Sequence, residues 1–327
     1  MVSSVGLDAP MTCAAIRAGI ANLVESGFMD SAGEALMSHQ VLAAVPGVGR
    51  SKVLSMAARA LEQSLAPVPR AQWNTVAVLL CVAERTRPGR VDGLDDTLLV
   101  ELAQSLDARF AAQSVVVPHG RSAFVVALMH ARKLIHERGV SAVAIVGSDS
   151  LLNWPTLHVF EQAHRLLTSR NSNGFVPGEA AAAVLVQAPT GQRQLCVVGL
   201  GTGREAAHID SELPLRGEGL VEALRQAFGD ASCGMHDLDF RLTDLSGEQY
   251  YFKEAALAVA RTLRRAKETF DLWHPAESIG EAGSAIGPAL LCVAEAACRK
   301  GYAPGERILF HTSNDDGARG AVIARYG

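Results

Sequence analysis

The chain has 327 residues, 49% of them hydrophobic, with a formal net charge of -4; that composition supports a large buried core in one or two domains. No basic run stands out, which argues against nucleic acid or an anionic membrane surface as a partner. No uncharged apolar run reaches the roughly 20 residues that span a bilayer, and the first six residues lack the basic and apolar segments of an export signal, so a cytoplasmic location is expected.

Helical and extended patterns alternate along the chain. Residues 10–24 read as a helix with Ile16, Ile20 and Leu23 on one face, where a proline in the first turn costs no intrahelical hydrogen bond. Residues 51–65 read as a second helix. Residues 75–82, TVAVLLCV, form a continuous apolar run, as in a strand covered on both faces. A helix over 92–106 and a short strand over 114–117 lead into the turn Pro118-His119-Gly120-Arg121-Ser122. The helix predicted over 123–138 is almost wholly apolar in its first two turns and must be buried nearly all round. Strands follow at 140–146 and 180–186. After Pro189-Thr190-Gly191 the pattern restarts, with strands at 195–200, 240–245, 307–312 and 321–326 and helices at 217–228, 252–267 and 288–300. This alternation predicts an α/β architecture, divided at the turn into 1–190 and 191–327.

The six cysteines form no CxxC pair and read as reduced core residues. Val198-Gly199-Leu200-Gly201-Thr202-Gly203 lacks the full dinucleotide-loop spacing and reads as structural. Asp315-Asp316 has no histidine partners and reads as a solvated turn rather than a metal site. Arg121 reads as a surface residue of its turn. Arg261, Arg264, Arg265 and Lys267 read as a solvated face at the end of the 252–267 helix, or as a dock for an acidic carrier protein. No cofactor site is predicted.

The segment Asn173-Gly174-Phe175-Val176-Pro177-Gly178-Glu179-Ala180-Ala181-Ala182-Ala183-Val184-Leu185-Val186 is a glycine-bounded turn feeding a buried strand. It resembles the GFVxGEGAAxLVLE segment of β-ketoacyl synthases, a branch of the thiolase superfamily. Residues 121–150 resemble the nucleophile turn, buried helix and following strand of that family. Residues 200–223 are similar to the start of its second half, 277–287 to KSNIGHTxxAAG, and 312–320 to SNSFGFGG. The resemblance implies a five-layer α/β/α/β/α fold of two pseudo-repeated halves. It also implies a homodimer pairing through central sheets, and acyl-CoA or acyl carrier protein as partner. Short thiolase-like proteins encoded beside type VI secretion components are a weaker likeness, implying a secretion-system protein partner.

The family's chemistry requires a cysteine at a helix N-terminus, where the helix dipole lowers the thiol pKa. Counting back from Gly139 places that position at Ser122; counting back from Ala131 places it at Arg121. Ser122 is either a nucleophile or a helix cap. The two family histidines, which donate to a developing enolate, fall on Ser246 and Glu281. An ionised glutamate only accepts hydrogen bonds and would repel that charge. Each such donor is worth roughly 3 kcal/mol of transition-state stabilisation, so decarboxylative condensation is not expected. His119, His274 and His311 (near Asn314) are candidate substitutes. Ser122, Asn314 and Ala318 mark the oxyanion loop, with Arg319 where glycine is usual. Two functions follow: a non-condensing synthase-like protein that binds an acyl group or a partner, or a Ser122-dependent acyltransferase.

Overall fold

The computed structural model describes residues 1–41 and 45–327. The apolar run 75–82 is the centre of the N-terminal half. It forms β3 (Ala77–Cys81), flanked by β4 (Val115–Val117) on one side and β5 (Ala142–Ser150) on the other, all parallel. An antiparallel strand, β6 (Glu179–Gln187), closes the order β4-β3-β5-β6. Both faces of this sheet are covered, as alternation along β3 shows. Val78 and Leu80 pack with Val53, Met56 and Leu61 of α2 (Gly49–Leu65) and Leu98 of α3 (Leu98–Ser105). Ala77, Leu79 and Cys81 face Phe124 and Leu128 of α4 (Ala123–Arg138) and Leu290 of α9 (Ile286–Arg299). Successive side chains of a strand point to opposite faces, so a strand buried twice must be apolar throughout.

The C-terminal half repeats the plan. Its sheet runs β7-β11-β10-β8-β9, from β7 (Leu195–Arg204), β8 (Phe240–Thr243), β9 (Leu272–Trp273), β10 (Arg307–Ser313) and β11 (Ala318–Tyr326). Phe240, Leu242, Ile308 and Phe310 join the same central core as α4 and α9. Leu309 and Ile323 point outward to α6 (Glu218–Ala231) and, through Ala258, to α7 (Gln249–Thr262). The layers are thus helix, sheet, helix pair, sheet, helix. In each half an antiparallel strand (β6, β11) lies beside a parallel trio (β5-β3-β4, β10-β8-β9).

Several predicted boundaries move for local reasons. The first helix, α1 (Ala9–Arg17), is capped by Asp8, whose Oδ1 accepts from the Met11 N–H at 2.8 Å. It stops well before residue 24 because Gly19 takes φ +66°, and the chain then forms a hairpin, β1 (Val24–Met29) with β2 (Ala35–Ser38), that alternation did not announce. The expected 252–267 helix ends at Thr262, so Arg264, Arg265 and Lys267 lie beyond it and do not complement its C-terminus. Two short helices went unread, α5 (Trp154–Gln162), capped by Asn153, and α8 (Ala276–Ile279). The glycines of 198–203 lie in β7, under α6. A Cβ on Gly199, Gly201 or Gly203 would collide with the carbonyls of Ala227, Ala223 or Gly219, so the spacing permits close strand–helix approach.

Candidate functional site

The site lies where strands β4, β8 and β10 deliver their C-terminal ends, the place where open α/β sheets present loops to ligands. Gly120–Ser122 form one turn of 3-10 helix at the mouth of α4. Gly120 has φ +52°, and a side chain there would strike Glu84 and Asn314, so glycine is required for the turn to sit against the loop after β10. That turn aims Arg121 inward. The guanidinium is 6% exposed, not at the surface as its turn suggested. It donates to Tyr251 Oη at 2.9 Å, to Asp315 Oδ1 at 2.5 Å and to Glu281 Oε2 at 3.4 Å, and lies 3.8 Å from Asp244 Oδ2.

The loop after β8 carries Ser246, whose hydroxyl donates to Glu281 Oε2 at 2.8 Å. The other carboxylate oxygen of Glu281 accepts from the Gly283 N–H at 3.0 Å. Arg165 extends the network. It makes two bonds to Glu248, at 2.7 and 2.9 Å, and two to Asp315, at 2.8 and 3.2 Å. Such forked pairing is what a planar guanidinium does best. Alongside, Arg87 binds Asp149 at 2.7 Å and Glu84 at 2.8 Å. Asp315, expected in a solvated turn, is instead held by Arg121, Arg165 and Tyr251.

Electrostatics follows from burial and pairing. Burial alone would raise the Asp315 carboxyl, but Arg121 and Arg165 outweigh it and hold the group below the usual carboxylate range. Burial pushes Asp244 up to about 7, against the pull of Arg121. Burial likewise raises Glu248, with Arg165 opposing. The three arginines 87, 121 and 165 face six carboxyl groups, those of Glu84, Asp149, Asp244, Glu248, Glu281 and Asp315. The space left among them is about 10 Å³, the room of a single water at most. Its lining includes Phe160 and Phe175, packed edge to face at 5.2 Å, and neither a cysteine nor a histidine.

The other sequence-derived residues fall outside this contact set or are spent within the fold. Ser122 is buried, but its side chain makes no capping bond to α4. Its hydroxyl donates instead to the Ala318 carbonyl at 3.2 Å. The Ala318 N–H donates to Asp316 Oδ1 at 2.9 Å, and the Arg121 N–H to Asn314 Oδ1 at 3.2 Å. The Ser122 N–H donates to the His119 carbonyl at 3.1 Å, so the backbone N–H groups of Ser122 and Ala318, the expected oxyanion donors, are both already paired. Arg319 does not disturb the turn, because Gly317 supplies the positive φ of +91°. Its guanidinium is buried against Glu254 at 2.7 Å and the Asn314 carbonyl at 2.7 Å. His119 is exposed. His274 lies 3.5 Å from Glu277 and packs on Phe252. His311 is buried in β10, where burial, with Arg241 and Arg319, pushes it down to about 3. Sequence reading missed Arg165, Asp244, Glu248 and Tyr251. They lie in mixed polar segments, EQAHRLLTSRN and RLTDLSGEQYYFKE, where nothing in the local pattern sets them apart.

No protein-family model matches the chain. Over 208 residues, 59% of its length, it is 28% identical to the "Putative polyketide beta-ketoacyl synthase 2" of Streptomyces cyaneus, and spans about half (49%) of that protein. Among solved structures, a ketosynthase in complex with its acyl carrier protein aligns over 100% of this chain and 97% of its own, at TM-score 0.79 and 14% identity. A ketosynthase in complex with its chain length factor, from Xenorhabdus doucetiae, gives 0.77 and 14% over 100% and 96%. A β-ketoacyl synthase from Burkholderia phymatum gives 0.76 and 16% over 100% and 97%. With the layered halves and the strand order, these likenesses make the chain β-ketoacyl synthase-like, with the thiolase-superfamily fold.

Proposed function

We propose that this protein is a non-condensing synthase-like subunit that acts by binding a partner. The observation that carries the reading is the filled site. Ser246 and Glu281, where the resemblance calls for two imidazoles, stand in one hydrogen-bonded cluster with Arg121, which with Ser122 is one of the two positions aligned with the thiol. Condensation needs donors aimed at a developing enolate. Glu281 accepts, the Ser246 hydroxyl donates its hydrogen bond to Glu281, and the Ser122 and Ala318 N–H groups are engaged. Room for an acyl chain is also lacking, since a cavity that holds one water does not admit a thioester.

The partner we favour is a ketosynthase-type chain or an acyl carrier protein. Three solved structures that share this fold are ketosynthases paired with a chain length factor or a carrier protein. A second copy of this chain is the competing partner. For either sheet-pairing partner the docking edge we favour is β4, one of the two outer strands of its sheet, where Val115 is 38% exposed.

The test is direct. The purified protein is incubated with malonyl-CoA and with acyl-CoA or acyl carrier protein. Carbon dioxide release and intact mass are followed, and co-purification with a ketosynthase encoded nearby is scored. No release, no adduct and a stable complex are expected. An acyl adduct lost on Ser122→Ala would establish the acyltransferase alternative and overturn this reading.

A further inference from the structure

The outer face of the C-terminal sheet is not covered along its whole length. Leu309 and Ile323 lie under α6. Two residues away along each strand, the same face carries Arg307 on β10 and Arg325 on β11. Helix α6 ends at Ala231, and beyond it a pocket of about 390 Å³ opens over these two side chains. That volume lies within the roughly 300–1,000 Å³ of small-molecule sites.

Arg307 and Arg325 stand directly opposite each other. The neighbouring pair, Glu306 and Tyr326, is hydrogen-bonded, since the Tyr326 N–H donates to the Glu306 carbonyl at 2.9 Å. The two kinds of pair alternate, so the arginines form the close, non-hydrogen-bonded kind, with Cα atoms about 4.5 Å apart. Like charges in that position repel and weaken a sheet. The nearby acids are engaged elsewhere. Glu306 pairs with Arg193 at 2.6 Å. Asp239 accepts the backbone N–H groups of Glu306 and Arg307, both at 2.8 Å. Asp237 accepts from the Gly234 N–H at 2.8 Å and lies 3.5 Å from His236. Among the described residues no acidic side chain is ion-paired with either guanidinium.

The rest of the lining suits an anion with an apolar body. Val198, Leu238 and Ile323 give an apolar wall, with Val198 41% exposed. Ser232 closes α6 in the left-handed region at φ +51°, where glycine is favoured. Its side chain lines the pocket, and its hydroxyl makes no hydrogen bond among the described residues. Asp237 is the single acidic group of the lining, against two arginines. A carboxylate is matched by one guanidinium. A phosphate monoester brings close to two negative charges and three acceptor oxygens, enough to engage both.

We propose that this pocket binds a small phosphomonoester with an apolar body, its phosphate held between Arg307 and Arg325 and the Ser232 hydroxyl donating as well. The bound anion supplies the counter-charge that the free protein withholds from the pair. The pocket sits at the start of β10 and the Arg121 cluster beyond its other end, so the inference does not rest on the proposed function.

The probe is phenyl phosphate, titrated at neutral pH by calorimetry. Saturable binding is expected. Cys233 lies in the pocket wall, so its alkylation by iodoacetamide, read by peptide mass, should slow at least fivefold at saturation while that of Cys298 stays unchanged. Arg307→Gln and Arg325→Gln should each weaken binding at least tenfold. Arg325→Gln should leave Tm unchanged or raised, because it relieves the repulsion. Asp237→Asn, which removes the opposing charge, should tighten binding several-fold. Absence of saturable binding overturns the proposal, as does undiminished binding by both arginine variants. Equal affinity for benzoate or for inorganic phosphate overturns it too, the first showing a carboxylate site and the second a site blind to the apolar body.

Discussion

The Ser246 hydroxyl donates to Glu281 Oε2 at 2.8 Å, across a sequence separation of 35 residues. The bond joins the loop after β8 to the loop before α9. It holds the two side chains against each other, and the Arg121 guanidinium donates to the same Glu281 oxygen at 3.4 Å.

Glu281→Ala therefore removes three partners at once, leaving the Gly283 N–H and part of Arg121 unpaired in a buried place. A loss of about 2–4 kcal/mol in urea unfolding is expected. Glu281→Gln keeps an acceptor for the Ser246 hydroxyl and should cost less than half as much. Equal effects would show that the charge, not the hydrogen-bond pattern, matters.

Arg121→Cys would place a thiol at one of the two aligned nucleophile positions, but it strips the counter-charge from Asp315 and Glu281. Breaking a buried pair from one side costs about 3–5 kcal/mol. The variant should lose that stability and should not become acylated by acyl-CoA, as judged by intact mass.

Asp244 sets a pH signature. Its carboxyl is raised by burial from 3.8 to about 7, so the folded state prefers it protonated. The stabilisation this gives is fully present below pH 3.8 and is lost as pH rises through about 7. Unfolding free energy measured from pH 4 to 7 should fall with pH by up to about 1.4 kcal/mol per unit from this group. Asp244→Asn should remove that slope. Asp315, held low by Arg121 and Arg165 against burial, works in the opposite sense and loses its contribution only in strong acid.

Gly201→Val tests the strand–helix contact. The new side chain meets the Ala223 carbonyl and the Ala227 N–H of α6, and overpacking of this kind costs typically 1–3 kcal/mol. A lowered Tm is expected, whereas Gly191→Ala, where nothing lies within 4 Å but φ is +77°, should cost about 1 kcal/mol through backbone strain alone.

Ser122→Ala removes one buried bond to the Ala318 carbonyl and should cost about 1 kcal/mol. Partner binding should be unchanged, because the hydroxyl faces the C-terminal loop and not the surface.

The layered α/β fold was legible because its evidence is local and periodic. The run 76–82 is apolar at every position, as a doubly covered strand requires. The helix 123–138 was read to the residue, since Gly139 with φ +68° ends it where the sequence says it should. The hairpin at Val24–Met29 was not legible, because its alternation is broken by Ser26 and Gly27 and its strands have no continuous apolar face.

Residue types at positions 121, 246 and 281 were readable from the chain, and with them the lack of sulfur and imidazole there. Where their side chains go was not. Arg121 and Ser122 are neighbours with opposite directions, one into the ion-pair cluster and one to Ala318, and a single 3-10 turn separates the two outcomes. The partners of that cluster come from residues 165, 248, 251 and 315, which no spacing rule connects. Periodicity reports which face of an element is buried. A charge inside a core is stable only when distant segments supply its counter-charge, and the tertiary structure alone decides which segments those are.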